Sequence, residues 1–65
     1  MRTKLIQLRG KNSRNLISKR LGISPQMLGA IENGKRNPSL NIILKMSETY
    51  DVTCDDIIKI LKDNK

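Results

Sequence analysis

The segment Leu21-Gly22-Ile23-Ser24-Pro25 constrains this chain more than any other, because it stops one helix and starts the next within a few residues. Gly22 accepts the left-handed backbone of a helix C-terminus at little cost. Ser24 is placed to cap orphan amides, and Pro25, with no amide of its own, suits the first helical position. The spacing therefore predicts one helix closing near Leu21 and another running from Pro25 to about Glu32, where Asn33-Gly34 stops it. Helices joined by about three residues cross at a steep angle rather than lying antiparallel.

Periodicity agrees with two short helices over about residues 13–33. Ile17 and Leu21 are four apart on one face, and Leu28 and Ile31 are three apart on another. Both pairs should point inward, leaving Gln26, Gly29, Ala30 and Lys35 toward solvent or a ligand. A helix-turn-helix fits this pattern, and so does an ordinary helical hairpin packed inside a small bundle.

The remaining segments supply partners for those helices. Residues of about 2–9 form a first helix with Leu5 and Leu8 three apart. Asn37-Pro38-Ser39 is a loop ending in a cap. A fourth helix follows to about Tyr50, with Leu40, Ile43, Leu44 and Ser47 marking one face. Thr53-Cys54-Asp55-Asp56 resembles a capping box with aspartate in the glutamate position. It opens a fifth helix with Cys54, Ile57, Ile58 and Leu61 inward, fraying near Asn64. Leu16, Ile42 and Ile60 are left pointing partly outward. Five short helices with brief connections give an all-α fold, a compact five-helix bundle.

Charge separates the possible functions. The 65 residues make a single domain over 1–65, with net charge +7 and no histidine. Residues 1–36 hold nine lysines and arginines against Glu32 alone, a balance of +8, whereas residues 37–65 hold four against five acids, a balance of −1. A basic surface confined to the half with the tight turn is the footprint of a polyanion binder.

Several classes find no support. The longest apolar run, Ile42-Ile43-Leu44, is far short of the ~20 residues of a membrane span. Met1 to Arg9 lacks the apolar core of a signal peptide, so a cytoplasmic protein is expected. Lone Cys54 allows no internal disulfide, and without histidine no metal site is expected. Cys54 suits the first turn of a helix as a small core residue, and Asp55 and Asp56 suit the positive end of that helix. No catalytic constellation, cofactor site or small-molecule ligand is indicated, so no enzyme is expected.

The stretch LGISPQMLGAIENGKRNPS, followed by an apolar-periodic helix and DVTCDDII, resembles the Cro/repressor-type, or XRE-type, helix-turn-helix proteins of bacteria and their phages. The likeness extends from Leu5 to about Leu61, and its most specific part is Ile31 to Ser39. It implies a lambda-repressor-like five-helix DNA-binding domain that regulates transcription, usually as a homodimer on a palindromic operator. The helix of about 25–32 would be the recognition helix, with Ser24, Pro25, Gln26, Met27, Gly29 and Ala30 facing base edges. Phosphate contacts would come from Arg14, where the family usually has glutamine, and from Asn33, Lys35 and Arg36. Asn33, Gly34 and Lys35 match a loop that holds phosphate through backbone and side chains. Arg9 and Glu32 match a pair that forms a structural salt bridge, and Ile60 is a candidate dimer contact by analogy with family dimers.

Within that helix, Gln26 is the side chain suited to a bidentate contact with adenine. Met27 suits a base edge or adaptable packing, and Arg36 a phosphate, a narrow minor groove or plain solvation. The favoured expectation is a repressor acting on double-stranded DNA in the bacterial nucleoid, without room for a sensor domain. A protein-binding module, such as an antitoxin or a phage immunity partner, is the alternative, favoured by an exposed apolar patch including Leu16 and Ile42.

Overall fold

A computed structural model describes residues 2–62, and the expected fray near Asn64 lies outside them. The regular elements of the described residues are five helices: α1 (Thr3–Arg9), α2 (Arg14–Leu21), α3 (Pro25–Glu32), α4 (Leu40–Tyr50) and α5 (Cys54–Lys62). Among these residues no helix is long and apolar enough to cross a membrane.

Local chemistry accounts for most of the boundaries. Ser13, Ser24 and Ser39 each sit in extended backbone before a helix and accept a hydrogen bond from the amide three residues on, at 3.1, 3.1 and 3.4 Å. Each thereby satisfies one orphan donor, an effect of about 1 kcal/mol. Gly22 closes α2 in the left-handed conformation (φ 73°), and the Ile23 amide reaches back to the Ser18 carbonyl at 3.0 Å. The capping box at α5 is reciprocal: the Asp56 amide donates to Thr53 Oγ1 at 3.0 Å and the Thr53 amide to Asp56 Oδ2 at 3.3 Å.

The helices surround one core of Leu5, Ile17, Leu21, Leu28, Ile31, Ile43, Met46 and Ile57. Burying each such side chain contributes about 1.5–3 kcal/mol. α2 packs against α3 and α4, α4 against α5, and α1 rests on α3 and α5. Cys54 is half-buried against this core, its Sγ 3.5 Å from Ser47 Oγ.

The phase of α4 differs from the expected one. Leu40 and Leu44 are 68% and 45% exposed, whereas Ile43 is buried as expected and Met46 joins it on the inward face. The run from Leu40 to Leu44 contains two possible apolar stripes. Met46 and Tyr50, three and seven positions beyond Ile43, decide between them by continuing the Ile43 stripe into the core. Ile42 and Ile60 are half-buried, each partly packed against the core, and Leu16 is 41% exposed.

Candidate nucleic-acid interface

α3 divides its side chains sharply. Leu28 and Ile31 enter the core, Glu32 is fully buried, and Ser24 and Gln26 are exposed at the N-terminal end. Pro25, Met27 and Ala30 are half-buried, with Met27 packed against core residues. Eight helical residues span about 12 Å, comparable with the width of a DNA major groove. Exposed Lys35 and Arg36 follow the helix at its far end.

Gly29 departs from expectation. It is buried rather than open, because the Arg14 side chain crosses from α2 and covers it. Without a side chain at position 29, the guanidinium settles directly on the helix backbone. Arg14, rather than Gly29, is what this part of α3 presents to solvent.

Arg14 is held there by a buried carboxylate. Glu32 Oε2 lies 2.8 Å from Arg9 Nε, and Glu32 Oε1 lies 3.3 Å from both Arg9 Nη2 and Arg14 Nη2. Arg9 also donates to the Asn12 carbonyl at 3.2 Å, fixing the turn between α1 and α2. The hydrogen bond to Glu32 holds the Arg9 pKa above its ordinary value, outweighing the opposing effect of desolvation. Burial pushes the neighbouring Tyr50 hydroxyl up to about 12, with the Glu32 charge adding to the rise. Two guanidiniums on one carboxylate leave this cluster a net positive charge. Its exposed part is Arg14, whose side chain is 46% accessible against 15% for Arg9.

The loop after α3 is tightly tied. The amides of Asn33 and Gly34 donate to the carbonyls of Gly29 and Ile31 at 2.9 and 3.1 Å. Those of Lys35 and Arg36 converge on the Ala30 carbonyl at 2.9 and 3.3 Å. Gly34 takes φ 80°, which glycine adopts without strain. Four successive amides are thus engaged inside the protein, while the side chains of Asn33, Lys35 and Arg36 are exposed.

Arg2 holds this loop from beneath, a role that sequence periodicity did not reveal. Its Nη1 donates to the carbonyls of Ile31 and Arg36, both at 2.9 Å, and its Nη2 to Asn37 Oδ1 at 2.6 Å. Its own amide donates to the Glu32 carbonyl at 2.7 Å. Only 5% exposed, Arg2 contributes little to the basic surface and instead satisfies the carbonyl end of α3. Arg2→Ala removes charge-assisted bonds to buried acceptors. It should cost about 2–3 kcal/mol in urea unfolding and speed hydrogen exchange at the Lys35 and Arg36 amides. Unchanged exchange there would show that the loop holds its shape without Arg2.

The Helix-turn-helix family model matches residues 5–57. An uncharacterised HTH-type transcriptional regulator from Methanocaldococcus jannaschii is 42% identical over 41 residues, 63% of this chain and 62% of that protein. The matched part is thus less than two thirds of that relative's length. No solved structure matches the chain.

Proposed function

Because the chain belongs to the Cro/repressor-type (XRE) helix-turn-helix family of DNA-binding regulators, we propose that it is a cytoplasmic, sequence-specific repressor that binds a palindromic operator as a homodimer. The observation that carries this reading is the arrangement around α3. An exposed Gln26 stands near one end, exposed Lys35 and Arg36 follow the other, and Arg14 lies across the middle. In the proposed complex α3 occupies the major groove, with Ser24, Pro25, Gln26, Met27 and Ala30 toward base edges. Arg14, Lys35, Arg36 and the Asn33 side chain meet phosphates. Phosphate contacts fix register and supply affinity, and base contacts select sequence.

A single module of this size meets about one half-site, which favours a dimer with half-sites about one helical turn apart. Ile60 supports a contact at α5, where it lines a shallow groove with Lys4, Leu8, Val52, Asp56 and Lys59. Leu40 and Leu44, one turn apart on the outer face of α4, support the second reading, in which the chain chiefly binds another protein.

Gln26→Ala tests the base-reading part of the first proposal. If Gln26 reads adenine, the variant should lose about 1–3 kcal/mol of discrimination at one base pair of each half-site in competition binding, while its affinity for mixed-sequence DNA stays within about twofold. Undiminished discrimination at every position would remove Gln26 from the reading surface.

A further inference from the structure

We infer that Gly29 and Glu32 are positioning residues that seat Arg14 on the recognition helix, so that the guanidinium of α2 becomes a fixed phosphate clamp within the surface of α3. This rests on the DNA-binding reading above.

A glycine in the middle of a helix is disfavoured relative to alanine, so its presence calls for a local reason. Left-handed backbone is not that reason, since the positive-φ glycines are Gly10, Gly22 and Gly34. Space is. A Cβ at position 29 would lie 3.3 Å from Arg14 Nη1, 3.6 Å from Cζ and 3.8 Å from Nε. Three guanidinium atoms at such similar distances mean that the planar group lies across the helix where a side chain would begin. Glu32 secures one edge through Nη2 at 3.3 Å, and Arg14 is 46% exposed on its outer side.

The chemistry of this seat suits a phosphate. A guanidinium presents five donors in a rigid fork matched to oxyanions, and Glu32 meets only one nitrogen of that fork. Holding the long side chain in place before binding reduces the rotamer freedom lost when the anion arrives. α3 has few long polar side chains of its own, and the seat gives it one from the neighbouring helix.

The test is a double-variant cycle on a mixed-sequence duplex at low salt, using the whole chain. Arg14→Ala should weaken binding about tenfold and lower the salt slope by about one unit per subunit. Gly29→Leu, which pushes the guanidinium off its seat, should weaken binding several-fold, and Gly29→Ala less in the same direction. Both position-29 variants should melt within a few degrees of the native temperature, the gain in helix propensity offsetting the displaced Arg14–Glu32 contact. Adding Gly29→Leu to Arg14→Ala should cause no further loss. Native affinity in both Gly29 variants would overturn the inference, as would an additive loss in the double variant, which would mean that the leucine itself obstructs DNA. If the native chain fails to bind any duplex, the underlying DNA-binding reading fails with it.

Discussion

Glu32→Ala is expected to lower stability by about 3–4 kcal/mol, because it leaves two guanidiniums without the carboxylate they share. Arg9 bears most of this, being 15% exposed and hydrogen-bonded to Glu32 through both Nε and Nη2. Arg14, at 46% exposed, recovers much of its loss from water, and Arg14→Ala alone should cost about 0–1 kcal/mol. A domain of this size holds only about 3–10 kcal/mol of net stability. Glu32→Ala should therefore shift the thermal midpoint down by about 15–30 °C, as followed by circular dichroism. A fall of less than about 5 °C would show that the ion cluster does not hold α1 to α3. The contrast between the two variants matters as much as the size of either. One carboxylate braces the fold through Arg9 and orients a surface cation through Arg14.

The second large effect is on DNA affinity. With Arg14, Lys35 and Arg36 each neutralising one phosphate, a dimer makes about six such contacts, and the slope of log affinity against log salt is then about −5. Raising salt from 50 to 200 mM should weaken binding about a thousandfold. A monomer with about three contacts would show a slope near −3 and lose only about fortyfold. The same titration thus reports the stoichiometry of the complex. A slope near zero would contradict phosphate-driven binding altogether.

The parts of this fold that local chemistry determines were legible from residue types alone. Gly22, Ser24 and Pro25 specify backbone conformations within two residues of themselves, and α3 runs from Pro25 to Glu32 as their spacing implies. The Thr53–Asp56 box is equally local. The rotation of α4 was not legible, because Leu40, Ile42, Ile43 and Leu44 satisfy two helical stripes and only packing against α2 and α5 selects one. The anchoring role of Arg2 has no sequence signature, for a different reason. Its partners at Ile31, Arg36 and Asn37 lie 29 to 35 positions away, and no helical or strand period connects them. Its burial makes the exposed charge of the N-terminal half smaller than the formal +8.

The candidate site shows the same division. Gln26, Lys35 and Arg36 are exposed, as their polarity suggests. Gly29 is covered because an arginine fifteen residues earlier folds across it, a relation that only three-dimensional packing creates. The family resemblance paired Arg9 with Glu32 across 23 positions, a contact that periodicity alone does not suggest.

The most direct measurement is binding of the purified chain to the duplex upstream of its own gene, compared with a shuffled duplex of the same composition at physiological salt. A sequence-specific repressor should prefer the upstream duplex by a factor of about a thousand or more. Equal binding to the two duplexes, or none to either, would contradict specific recognition and leave the exposed leucines of α4 as the surface to pursue.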